Sequence, residues 1–335
     1  MHRRDFVRSS MILGSAGVIA LQNLPGTIQA GTQAATTPMR RPVRILDTHQ
    51  HLWDLSKLKL PWLEGATEVL KKKYWLQEYR EATKGFEVDT MYMEVDVAED
   101  LLDKEGEIIS EISRERSNQM LGAILGGRPA ADDFAAYVDR QINRGAVKGI
   151  RQVLHGGTPK GFCLESAFVR GIKVLGDRGL SFDLCMRPAE LRDGYQLAKQ
   201  CPDTRFVIDH CGNADPKAFE RYAKAGMKAE HDANDWRVSM KQLSTLPNVI
   251  CKISGIVARA PEGWKDEDLA PIVNYCLDTF GPNRVIFGGD WPVCLLGAPL
   301  NAWIESLARI VSNRPEKEQS QLWYDNAAAF FALKK

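Results

Sequence analysis

The chain has 335 residues, 44% apolar and 26% charged. That is enough for one large α/β barrel or two ordinary domains, with the make-up of a soluble globular protein rather than a disordered or membrane-embedded one. Its 44 Lys+Arg and 43 Asp+Glu leave a formal net charge of +1, and no basic stripe stands out. Nucleic acid and anionic membrane are therefore poor partners, and a small polar molecule is the expected one.

Residues 1–30 read as an export signal rather than as part of a fold. Arg3-Arg4 and Phe6 precede an apolar stretch from Met11 to Leu21, and small residues then offer cleavage points at Ala30 or Ala35. Arg-Arg-x-Phe resembles a twin-arginine signal, and the apolar stretch is about half of the roughly 20 residues that a membrane span needs. The expectation is an exported, periplasmic protein with no membrane anchor after processing. Losing three arginines and one aspartate with Met1–Ala30 would take the net charge from +1 to −1. Residues 31–42, rich in Thr, Ala and Pro, read as a linker, which leaves 43–335 as a single domain. The seven cysteines are scattered and odd in number, with no C-x-x-C pair. A disulfide framework is not expected, and Cys185, Cys211 and Cys251, inside apolar runs, read as small core residues.

From residue 43 onward, short apolar runs alternate with helix-patterned stretches. The runs are VRILDTH (43–49), TMYMEVDV (90–97), MLGAILGG (120–127), VKGIRQVL (147–154), LSFDLCM (180–186), RFVIDHCG (205–212), NVICKISG (248–255) and RVIFGGD (284–290). Being short, often β-branched and apolar on both sides, they suit strands of a parallel sheet buried on both faces. Between them, Leu101, Leu102, Ile108, Ile109 and Ile112 recur on one helical face, and ADDFAAYVDRQINRG opens with acids and closes on Gly145. Eight such units predict a (β/α)₈ TIM barrel. The competing fold, an open doubly wound sheet, is disfavoured by the absence of any Gly-rich phosphate-binding turn.

A barrel places its site at the C-terminal ends of its strands, and those ends are rich in ionisable groups. The first run ends in His49-x-His51, Arg128 follows the third, and the fourth carries Arg151 and runs on to His155. Arg187 follows the fifth, the sixth holds His210, the seventh holds Lys252, and the eighth ends in Asp290-Trp291. Plainer roles compete: His155 as a loop residue, His210 as a strand cap, Arg128 and Arg187 as ion-pair partners of Glu94, Asp96 or Asp183. Lys252 in an apolar strand and Asp290 after two glycines are harder to explain by packing, because buried unpaired charges are costly. The set suits hydrolysis. His49, His51, His210 and Asp290 can surround a divalent metal, or the imidazoles can polarise a carbonyl directly while Asp290 takes a proton from water. Arg151, Arg187 and Lys252 would orient the substrate.

ILDTHQHLWD, VKGIRQVLH, the fifth and sixth runs with the segment between them, NVICKISGI and RVIFGGDWPV together resemble the amidohydrolase-2 family. Within it they resemble the branch of sugar-acid and pyrone-dicarboxylate lactonases, over about Ile45 to Phe331. The resemblance implies a distorted single-domain TIM barrel that opens a lactone ring. In it, His49, His51 and His210 would polarise the carbonyl, directly or through one divalent ion (zinc first), with Asp290 activating water. Arg151 and Lys252 match site-facing positions, and Arg187 and Trp291 join them as candidate substrate contacts. The superfamily's bridging lysine on the fourth strand has no counterpart here, since Arg151 stands in that strand, which argues against a two-metal site. After DHCG the branch often has Lys-Pro, whereas Asn213-Ala214 follow here. The alternatives are a metal-dependent decarboxylase of the same family and an exported binding protein without catalysis; an oligomer is compatible with either.

Overall fold

The computed structural model describes residues 44–155 and 157–333; the expected signal and linker lie outside them. Eight strands, β1 (Ile45–Gln50), β2 (Val88–Met93), β3 (Met120–Gly126), β4 (Val147–Val153), β5 (Ser181–Cys185), β6 (Arg205–Ile208), β7 (Val249–Ile253) and β8 (Val285–Phe287), form one parallel sheet in sequence order. Each is followed by a principal helix: α1 (Leu76–Ala82), α2 (Leu102–Arg114), α3 (Phe134–Arg144), α4 (Ser166–Asp177), α5 (Leu191–Gln200), α6 (Ala233–Ser244), α7 (Asp266–Phe280) and α8 (Leu300–Ile310). This is the (β/α)₈ barrel expected from the alternation. None of the helices described is long and apolar enough to cross a membrane.

The helices form where apolar residues return every three or four positions. In α4, Phe168, Val169, Ile172 and Leu175 are buried, a stripe that packs on the strands; each such side chain stabilises the fold by about 1.5–3 kcal/mol. α3 stops at Gly145, whose φ of +95° suits a residue without Cβ. A second core fills the barrel's lower interior. Leu46, Met91, Ile124, Val207, Ile250 and Ile286 meet there, and Ala327 and Phe331 of the C-terminal segment close that end.

The barrel closes between β8 and β1 by a few specific contacts rather than a continuous ladder. Gln50 bridges Trp291, His51 N–H donates to Trp291 O at 2.9 Å, and Thr48 Oγ1 donates to Phe287 O at 2.6 Å. Asp47 faces outward and accepts from His49 N, Gly289 N and Tyr79 Oη at 2.7–2.9 Å. This sparse seam is the distortion that the resemblance implied.

One irregularity in β1 positions the site. Asp47 pairs with Thr90 and Gln50 with Tyr92, so β1 carries one more residue than β2 over that stretch. In a regular strand, side chains alternate sides, and Leu46 and His49 would face opposite ways. The extra residue shifts the alternation, so the odd-numbered His49 and His51 share the interior with Leu46. On β6, β7 and β8 the interior positions read apolar low and polar high: Val207 then Asp209, Ile250 then Lys252, Ile286 then Asp290.

Candidate active site

His49 lies at the centre of a buried polar layer. Its Nδ1 is 3.4 Å from Lys252 Nζ and its Nε2 is 3.3 Å from Arg151 Nη1. These cations belong to a ladder of opposite charges. Arg151 Nε donates to Glu94 Oε1 (2.5 Å) and Nη1 to Asp209 Oδ2 (3.2 Å), while Lys252 Nζ donates to Asp209 Oδ1 (2.8 Å) and Asp183 Oδ2 (2.7 Å). Burial, reinforced by Lys252, holds the His49 imidazole well below its ordinary pKa, so the ring is neutral. Gly288 makes room for it, since a Cβ there would stand 2.7 Å from His49 Cβ.

The two aspartates that share Lys252 are not equivalent. Burial pushes both up, but Lys252 and Arg151 together hold Asp209 well below the carboxylate range. Among the described residues Asp183 has only Lys252 as a donor and its Oδ1 meets no partner, and burial with the nearby Asp209 charge raises it to about 7. A carboxyl raised on folding binds more protons folded than unfolded between about pH 4 and pH 7, so its contribution to stability falls as pH rises through that window. Asp183→Asn keeps an acceptor for Lys252 and removes the titration. Relative to wild type, its unfolding free energy should gain on the order of 1–3 kcal/mol between pH 5 and pH 8. Urea unfolding at the two pH values measures this, and equal pH slopes in the two proteins would count against it.

Above this layer, His51, His210 and Asp290 line a cavity of about 340 Å³ at the C-terminal end of the barrel. Asp290 Oδ1 stands 3.5 Å from both His49 Nε2 and His51 Nε2. His51 Nδ1 is 3.0 Å from Met93 O, which can only accept. Nδ1 therefore carries a proton, and Nε2 is the ring atom turned toward the carboxylate. With His49 neutral, its Nε2 and the Asp290 carboxylate face each other at a distance that suits a water or a cation between them.

His210 and Asp290 both sit where the backbone is left-handed. Asp290 has φ +55°, and His210, Cys211, Gly212 and Asn213 have φ +53°, +53°, +68° and +54° in succession. Such a turn costs roughly 1–2 kcal/mol for each residue that carries a Cβ, and this kind of strain gathers at functional sites. It ends β6 at Ile208, short of the apolar run read from the sequence, and swings the His210 ring over the barrel mouth. Ser254 Oγ lies 3.0 Å from His210 Nδ1, and Gly255, at φ +68°, presses on the same atom: a Cβ there would stand 2.3 Å away. Burial lowers the His210 pKa, against the opposing pull of Asp290 and Asp209. Gly255→Ala should cut activity more than tenfold while lowering Tm by only several degrees, from roughly 1–2 kcal/mol of left-handed strain. Steady-state kinetics beside a thermal melt would show this, and near-wild-type kcat would show that His210 does not need that position.

The donor set fits one divalent cation. Ligand atoms of His49, His210 and Asp290 lie within 4.8 Å of one another, two imidazoles with a carboxylate, and His51 Nε2 faces the same carboxylate. A second group, Cys185, Asp209 and His210, has similar spacing but does not fit. Both Asp209 oxygens already accept from cations, and burial raises the Cys185 thiol.

Of the residues singled out in the sequence, His49, His51, His210 and Asp290 converge. Arg151 reaches the cavity wall, but Glu94, Asp209 and His49 occupy its donors. Three others stand apart from the cavity. Lys252 is fully buried in its ion pairs and cannot face a substrate, because its ammonium is the counter-charge of two aspartates. Arg187 pairs with Glu190 and donates to Thr158 O. Trp291 is 2% exposed and packs edge-on against Tyr74 and Tyr79, so neither is a lining residue. Conversely, Cys185 and His155 line the cavity, as do Trp53, Trp62, Asp96 and Arg259. Trp53 was legible within DTHQHLWD and Asp96 as the polar end of the second run. Arg259 lies beyond any strand-end signal.

A sequence profile described as Amidohydrolase matches residues 46–333. The chain is 26% identical to an L-fucono-1,5-lactonase of Burkholderia multivorans over 295 residues, covering 86% of this chain and 96% of the relative. It is 23% identical to an L-rhamnono-gamma-lactonase of Scheffersomyces stipitis, covering 85% and 97%. Among solved structures, an amidohydrolase from Burkholderia multivorans with bound zinc superposes with a TM-score of 0.74 at 25% identity, covering 87% of this chain and 99% of the other.

Proposed function

The chain belongs to the amidohydrolase family, and from that premise we propose that it hydrolyses the ester bond of a lactone ring, of the sugar-acid type. The observation that carries this reading is the Asp290 carboxylate, held 3.5 Å from two imidazole nitrogens at the base of a cavity. The lactonase relatives support it.

His49, His210 and Asp290 would hold one divalent ion, and the zinc bound by the Burkholderia multivorans amidohydrolase supports zinc as that ion. When bound, the ion polarises a carbonyl and lowers the pKa of a water to about 7. Asp290 accepts a proton as water attacks the carbonyl carbon, and returns it to the ring oxygen as the C–O bond breaks. His51, anchored on Met93 O, keeps its Nε2 beside Asp290 and limits where that water sits. His210, backed by Ser254 and Gly255, sets the opposite side. The Arg151–Glu94–Asp209–Lys252 ladder keeps His49 neutral and fixed, so charge developing above it meets a preorganised polar floor.

Export through Arg3-Arg4 and the following apolar stretch completes the proposal and places the substrate in the periplasm. Proton release from a panel of aldonolactones and a pyrone-dicarboxylate lactone tests the activity, with a chelator-treated sample in parallel. Turnover lost on chelation and restored by zinc supports the ion. Carbon dioxide released from carboxylated aromatic acids, with no lactone turned over, would replace this reading by decarboxylation.

A further inference from the structure

Arg259 ends the short helical turn Ile256–Arg259 after β7 and lines the cavity. Its Nη2 donates to Glu230 Oε2, on a side chain 62% exposed. The Glu230 contact fixes the direction of the guanidinium and leaves Arg259 with an exposed carboxylate as its counter-charge. Across the mouth, Asp96 follows β2 and lines the same cavity, with its nearest cation, Arg128, 3.6 Å away. Trp53 and Trp62, packed edge to face, give the same lining apolar surface.

Among the described residues, the other cations near the cavity floor are matched: Arg151 by Glu94 and Asp209, Lys252 by Asp183 and Asp209. Asp96 and Asp290 add negative charge to the lining. A substrate bearing carboxylates would meet these two acids and an arginine already paired on its outer edge. A neutral one bearing hydroxyls can give protons to Asp96 and accept one from Arg259.

We infer that Arg259 is a specificity-determining residue: its guanidinium donates to a substrate oxygen remote from the scissile carbonyl, and Glu230 offsets its charge so that neutral hydroxylated lactones are preferred to carboxylated ones. The inference rests on the lactonase reading. The test compares wild type, Arg259→Gln and Glu230→Gln, as purified full chains, on a neutral aldonolactone and on a pyrone-dicarboxylate lactone. Arg259→Gln should raise KM for the neutral lactone at least tenfold while kcat falls far less. Glu230→Gln should shift the ratio of kcat/KM toward the dicarboxylate at least fivefold. Unchanged KM in Arg259→Gln, or an unchanged ratio in Glu230→Gln, overturns the inference while wild-type turnover leaves the lactonase reading standing. If wild type turns over neither compound, that reading fails. Calorimetric binding of the aldonolactone then decides this one: a tenfold weaker Kd in Arg259→Gln supports it, and equal or absent binding overturns it. Should Arg259→Gln fail to fold by thermal melt, the Glu230→Gln ratio decides alone.

Discussion

Asp290→Asn should lower kcat by about 10²–10⁴-fold, the range for losing a general base, with Tm within a few degrees of wild type. Asparagine preserves shape but cannot take a proton from water. It also places an amide against two imidazole nitrogens now 3.5 Å from the carboxylate oxygen. The consequence separates two roles for the group. If the carboxylate acts only as a metal ligand, added zinc should restore most of the rate; if it moves the proton, saturating zinc will leave kcat low. Activity within threefold of wild type without added metal would remove Asp290 from the mechanism.

The second large effect concerns Lys252, which meets no substrate. Lys252→Met fills nearly the same volume but removes the ammonium between Asp183 and Asp209. Breaking a buried ion pair from one side typically costs about 3–5 kcal/mol, and urea unfolding should show a loss of that size. A loss below about 1 kcal/mol would mean that the aspartates find another counter-charge. The same substitution releases one of the two cations that keep His49 neutral. The imidazole pKa should therefore rise, which can be followed by the chemical shift of its ring protons. A merely structural lysine would leave that titration unmoved.

Much of the architecture was legible because each buried parallel strand had to be an apolar run and each covering helix an apolar stripe, and those two periods differ. The eight runs overlap the eight strands. Where they overshoot, as at 209–212 and 288–290, the surplus residues are those at the mouth, and their backbone leaves the sheet to present His210 and Asp290. The HxH pair and the terminal aspartate were legible as chemistry too expensive to bury for packing alone. Partner choice was not. That Lys252 answers two aspartates rather than a substrate depends on β5, β6 and β7 lying side by side, which no spacing within one run encodes. Trp291 invited the same misreading: adjacent to Asp290 in sequence, it packs against Tyr74 and Tyr79 rather than lining the cavity. Arg259 lies on a loop, where the position of a side chain is set by the fold around it and not by a local pattern.

The extra residue in β1 makes the site depend on an irregularity. Strand alternation works like a two-letter reading frame, and the surplus position between Asp47 and Gln50 shifts that frame by one. Deleting Thr48 would remove the surplus and leave Leu46 and both histidines in step on one side of a regular strand. Straightening the strand with its residue count unchanged would instead turn both imidazoles from the cavity to the helical layer. A barrel of this kind can therefore lose its centre, or acquire one, by a shift of register alone, with no change in the identity of any residue that does chemistry.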